Sequence, residues 1–159
     1  MKKKTVLIHS NFTRAFTGFG KNKKNIMRYL YDTGKYNLIE LANGIEWEAP
    51  STKLLPWTCR GSLPKPQEMQ GLTPEQQREQ GYGSKLVDRA IKEFKPDVYI
   101  GMEDIWAFNG YHTKPWWNKV NTMVWTTLDS LPILPQAIEY APKIKNYYVW
   151  ASFAEKAMK

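Results

Sequence analysis

A Rossmann-like α/β fold, three α/β/α layers around a mainly parallel sheet, is predicted for this chain from three observations. Short apolar runs alternate with segments of helical period along the sequence, an order that yields parallel strands joined by helical crossovers. The clearest runs, TVLIH and DVYIG, are continuously apolar, as strands covered on both faces are. With 159 residues, 42% of them apolar, the chain has room for one domain, residues 1–159, with one core.

Taken in order, residues 5–9 form the first strand, with His9 read as strand-end packing. Residues 22–32 read as the first helix: Ile26, Met27 and Leu30 recur at helical spacing, Lys23, Lys24 and Arg28 face away, and Gly34 closes it. Residues 36–42 make the second strand, ended by Asn43-Gly44. From 45 to 72, Pro50, Pro56, Pro64 and Pro66 exclude a helix. This stretch is expected to be an irregular loop with at most one short paired piece such as 53–55, and loops of that length are usually functional or mobile.

Thr73-Pro74-Glu75-Gln76 is a helix start, with Thr as N-cap, Pro in the first turn and Gln completing a capping box. Gly81 and Gly83 interrupt it. Residues 84–95 resume a helix whose buried stripe is Leu86, Val87, Ala90, Ile91 and Phe94, and Pro96 ends it. Residues 97–101, 122–126 and 147–150 are the remaining strands, with a short helix over 135–140. Ser152 and Glu155 then form a capping box for a helix of barely two turns, so the chain is expected to be half of something longer.

The net charge is +8, and its location is informative. Residues 1–30 carry eight cations (Lys2, Lys3, Lys4, Arg14, Lys21, Lys23, Lys24, Arg28) and no carboxylate, and the rest of the chain is balanced. Such a field draws phosphates, unless the cations are simply a solvated face. Cys59 is the lone cysteine, which excludes a disulfide within the chain and a cysteine-based metal site. No run of 18 apolar residues and no leader pattern occurs, so no transmembrane segment and a cytoplasmic location are expected.

The stretch SNFTRAFTGFGKNKKN, directly after the first strand, invites phosphate-binding readings. A P-loop requires Gly where Ala15 stands and Ser or Thr where Asn22 stands, and the dinucleotide fingerprint requires Gly where Lys23 stands. Both fail. What remains is a flexible glycine turn at Gly18 and Gly20 and a helix start near Asn22 whose N–H groups suit an anion. Ligands of such sheets sit beyond the carboxyl ends of the strands, where this stretch, Glu103-Asp104 and Asp129 would all lie.

The series TVLIHSNF, TGFGKN, GYGSKLVDRAIKEFKPDVYI, MEDIWAF, MVWTTLDSLPILP and YYVWASFAEKAMK resembles the N-terminal, acceptor-binding domain of retaining GT-B-fold glycosyltransferases of the glycosyltransferase 4 type. The resemblance covers most of the chain, with 45–72 loosely matched. It implies a transferase using a UDP- or GDP-sugar as donor substrate, with no tightly bound cofactor and no metal. The acceptor would be a lipid, glycan or nucleic acid, and the donor domain would lie downstream or on a partner chain.

By that resemblance Gly18, Gly20 and Lys21 face the donor phosphates. Asp104 and Asp129 are the catalytic candidates at the strand ends, a carboxylate there being able to hydrogen-bond the acceptor hydroxyl. Arg14, Glu103, Trp106, Tyr111 and His112 would bind the acceptor, since sugars stack on aromatic faces, and Trp116 and Trp117 are further candidates for the same groove or for the core. As structural roles, Asp104 would cap a helix at 105–109 and Asp129 would occupy a turn. No His, Cys or carboxylate cluster has metal-ligand spacing.

Two other classes fit parts of the sequence. A basic nucleic-acid-binding module would use the cationic first thirty residues and exposed aromatics. A non-catalytic Rossmann-like domain would instead present an apolar surface to a protein partner.

Overall fold

The computed structural model describes residues 2–128 and 131–159. Six strands form one sheet, all parallel: β1 (Lys4–Asn11), β2 (Tyr36–Glu46), β3 (Thr58–Leu63), β4 (Val98–Gly101), β5 (Asn121–Thr126) and β6 (Tyr147–Val149), in the spatial order β3-β2-β1-β4-β5-β6. The chain first builds outward through β2 and β3, then returns to β4 on the other side of β1. The direction therefore reverses between β1 and β4, the crevice where open α/β sheets bind ligands.

The helices are α1 (Gly18–Asp32), α2 (Pro74–Gly81), α3 (Leu86–Phe94), α4 (Pro135–Tyr140) and α5 (Ser152–Met158). Strand side chains alternate between faces. Val6, Ile8 and Leu38 meet Met27, Ile26 and Leu30 of α1 on one face. On the other, Leu7, Ile39, Leu41 and Tyr99 meet α3, Trp47 and the Phe108–Tyr111–Trp116–Trp117 group. These layers bear out the three-layer, parallel expectation.

Four local expectations are corrected. α1 begins at Gly18, four residues before the expected start, because Thr17 caps it by accepting a hydrogen bond from the Gly20 N–H at 3.0 Å. Gly18 and Gly20 are thus first-turn residues, not a flexible loop. β2 runs through Asn43-Gly44 to Glu46, its register shifting between Ala42 and Glu46 while Gly44 takes φ +87°, a bulge that lets the strand continue. The strand inside 45–72 is Thr58–Leu63, whereas residues 53–55 belong largely to a 3₁₀ turn, Pro50–Leu54. Ser152 is already helical and α5 has no side-chain cap, but Thr73 and Gln76 do form the capping box of α2.

Gly61 fixes how β3 joins the bulge. A Cβ there would lie 2.0 Å from the Glu46 carbonyl oxygen and 2.1 Å from that of Ile45, both backbone atoms that cannot swing aside. Gly61→Ala is expected to destabilise the fold by about 1–3 kcal/mol, seen as a lower urea midpoint with an unchanged slope. Gly18→Ala, with open space around its Cβ, is the control and should leave the midpoint in place.

Candidate functional site at the carboxyl end of the sheet

At the switch point, His9 of β1 is in register with Gly101 of β4, and the Met102 N–H donates to the His9 carbonyl at 2.9 Å. This contact carries the chain from β4 into Glu103-Asp104 across the end of β1. The Glu103 carboxyl is 4% exposed, and accepts from Asn43 Nδ2 at 2.9 Å and from the backbone N–H of Asn11. Asn43 Oδ1 in turn accepts from Ser62 Oγ and faces His9 Nε2 at 2.8 Å, while His9 Nδ1 lies 2.9 Å from Tyr99 Oη. Asn43 Oδ1 can only accept, so the hydrogen sits on Nε2 and Nδ1 accepts from Tyr99. Gly83, at φ +81°, roofs this chain of groups, because a Cβ there would come within 2.8 Å of His9 Nε2.

Burial sets the charge state of this network. It lowers His9 to about 3, outweighing the Asn43 hydrogen bond that favours the cation. It raises Glu103 to about 7 against the hydrogen bond from Asn43 and the charge of Lys23. Both end groups therefore prefer to be neutral, although Glu103 is poised where small changes around it move its proton.

The floor of the site is a buried ion pair. Lys23 and Glu40 side chains are both 0% exposed and 3.0 Å apart. Glu40 also accepts from the Thr13 N–H, Thr13 Oγ1 and Trp57 Nε1, and Lys23 donates to the carbonyls of Ser10 and Leu41. Lys23 is thus no solvated cation, as its place in the helix pattern suggested. It ties α1 and the loop before it to the strands. Cys59 of β3, near this pair, is buried and its thiol is pushed up to about 12, chiefly by desolvation.

Several expected residues come together here. Glu103 meets the Asn11 N–H at the end of β1; Asp104 is half-buried, at the start of a 3₁₀ turn (Ile105–Phe108), without capping it, and accepts from Thr127 Oγ1 at 2.6 Å. Arg14, Gly18 and Lys21 are exposed on the same loop and first helical turn. Gly20 is needed for packing, since a Cβ would approach the Phe12 and Ala15 carbonyl oxygens to 2.8 Å. Trp106 is half-buried, edge-on to Tyr82 with Arg78 over its ring.

Others fall elsewhere. Tyr111 is 1% exposed, enclosed by Phe108, Tyr99, Trp116 and Trp117, so it is a core residue and offers no face to a sugar. Trp116 and Trp117 share that core. His112 packs beside Tyr140 at the end of α4. Asp129 lies outside the described residues. Among the described residues no group of three or more His, Cys, Asp or Glu side chains could hold a metal ion, and no helix is long and apolar enough to cross a membrane.

His9, Asn43, Ser62 and Tyr99, and the pair Lys23–Glu40, were not among the expected site residues. A signal for some of them exists in the strand period: Leu7-x-His9 and Ile39-x-Leu41-x-Asn43 put polar groups on an otherwise apolar face, and Glu40 sits between Leu38 and Ala42.

No family model matches the chain, and comparison with curated proteins gives no significant match.

Proposed function

We propose that this domain is the acceptor-side part of a glycosyltransferase that takes its sugar from a UDP- or GDP-sugar. The observation that carries the reading is the adjacent pair Glu103-Asp104 just past the end of β4, with Glu103 tied through the Asn11 N–H to the end of β1. The pair lies at the switch point of a parallel sheet, and the chain leaving β1 there enters the N-terminus of α1 past exposed Arg14 and Lys21. Glycosyl transfer needs both: an oriented acceptor hydroxyl and stabilisation of a departing diphosphate.

In this reading Asp104, half-buried and accepting from Thr127 Oγ1, hydrogen-bonds the acceptor hydroxyl and orients it. Glu103, deeper and held by Asn43 and Asn11, positions the Met102–Asp104 shelf. The α1 dipole, with Lys21 and Arg14 exposed near it, favours the negative diphosphate without a metal. Trp106 offers the half-open ring against which a sugar can pack.

The test is an NMR titration of the isotope-labelled chain with UDP-glucose, GDP-mannose and a set of oligosaccharides. The reading expects amide shifts confined to residues 11–21, 43 and 102–106, with the oligosaccharide-induced ones lost in Asp104→Asn. Shifts confined to other surfaces, or none at millimolar ligand, would overturn it.

A further inference from the structure

The structure redistributes the positive charge that the sequence places in its first thirty residues. Lys23 is neutralised inside the fold by Glu40, Lys4 pairs with Asp97, and Arg28 faces Asp32 at 4.0 Å. Arg14, Lys21 and Lys24 remain exposed, with no carboxylate partner among the described residues, and no acidic residue precedes Asp32 in the sequence. All three lie in the β1–α1 loop or the first two turns of α1. Between them stands Phe16, 97% exposed.

Phe16 is presented by a fixed loop. On one side, the Thr13 N–H and hydroxyl are bound by buried Glu40, and the Ala15 N–H donates to the Phe12 carbonyl at 2.8 Å. On the other, Thr17 Oγ1 accepts from Asn11 Nδ2 at 2.9 Å and from the Gly20 N–H. Residues flanking Phe16 are thus anchored to the sheet and to the helix, and the ring between them projects into solvent.

We propose that this loop and the first two turns of α1 dock on an anionic phospholipid surface, Phe16 entering the acyl boundary while Arg14, Lys21 and Lys24 lie against the headgroups. The charge complements an anionic surface and only an anionic one. The exposure of Phe16 favours lipid over nucleic acid: a stacked base covers one face of a ring, whereas a bilayer surrounds a projecting ring on all sides. The inference does not rest on the transferase reading, and its failure would leave that reading untouched.

The test is cosedimentation of the chain with vesicles of phosphatidylcholine alone and with roughly one-third phosphatidylglycerol, alongside binding to a single-stranded oligonucleotide. Binding to the anionic vesicles only is expected, weakened about tenfold or more in Phe16→Ser and in Lys21→Glu/Lys24→Glu. All three positions are exposed, so far-ultraviolet circular dichroism of the variants should match the parent. In Phe16→Trp, brominated lipid should quench emission beyond what the parent shows. No binding, equal binding to neutral vesicles, or indifference to Phe16→Ser would overturn the proposal. Tighter, Phe16-dependent binding to the oligonucleotide would assign the surface to nucleic acid instead.

Discussion

Lys23→Met should lower the unfolding free energy by about 3–5 kcal/mol, the usual consequence of removing one partner from a buried ion pair. Methionine keeps most of the lysine's length, so the loss reports charge and not a cavity. Glu40 would keep its hydrogen bonds from Thr13 and Trp57 but lose the Lys23 cation, at 0% exposure. Lys23→Met/Glu40→Gln should recover part of the loss, because the amide carries no charge and its one oxygen, in the place of Oε2, still accepts from Thr13 Oγ1 and Trp57 Nε1, while its NH2 then faces the Thr13 N–H. Urea denaturation of the four proteins closes the cycle. A loss below about 1 kcal/mol for Lys23→Met would mean that the pair carries little of the fold's stability, at odds with its complete burial.

The second large effect concerns acid and base. Glu103 binds its proton up to about pH 7 in the fold and releases it near its ordinary value of 4.5 when unfolded. The folded state therefore holds more protons between those values, and stability from Glu103 falls as pH rises through that window, by about 3 kcal/mol in all. His9 runs the other way. Its folded value of about 3 lies below the ordinary 6.5, the unfolded chain binds the extra proton, and stability falls as pH drops through that window, by about 5 kcal/mol.

Between pH 4.5 and 6.5 the two slopes oppose each other, so these groups should give the parent protein a nearly flat stability profile. Glu103→Gln removes one slope and should expose the other, a rise of about 3 kcal/mol from pH 4.5 to 6.5. Chemical denaturation at closely spaced pH values measures it. Parallel profiles for parent and variant would show that Glu103 titrates like an exposed carboxylate.

The fold was legible because its signals are local: continuous apolar strands, the helical stripe of α3 and the Thr73 capping box depend on neighbours in sequence. What was not legible depends on distant partners. Lys23 lies among cations on a helix and looks like any solvated residue until Glu40, seventeen residues on, is brought under it. Asn43-Gly44 has the composition of a turn, yet the pairing of β2 with β1 and β3 carries the strand through it. Tyr111 looks like an aromatic in a loop, and only the meeting of Tyr99, Phe108, Trp116 and Trp117 makes it core. Of the site, Glu103 and Asp104 could be placed from their position after a strand. The His9–Asn43–Ser62 chain joins three strands and has no contiguous motif.

Cys59 makes the sheet's edge observable. Its side chain is 3% exposed on β3, the outermost strand beside β2, and its thiol resists ionisation. A thiol reagent can reach it only when that edge opens. The rate at which the native protein takes up label thus serves as a clock for local opening, with no engineered probe. Because Gly61 seats this same strand against the bulge of β2, the clock reads how firmly the chain holds its own border while the centre of the sheet stays closed.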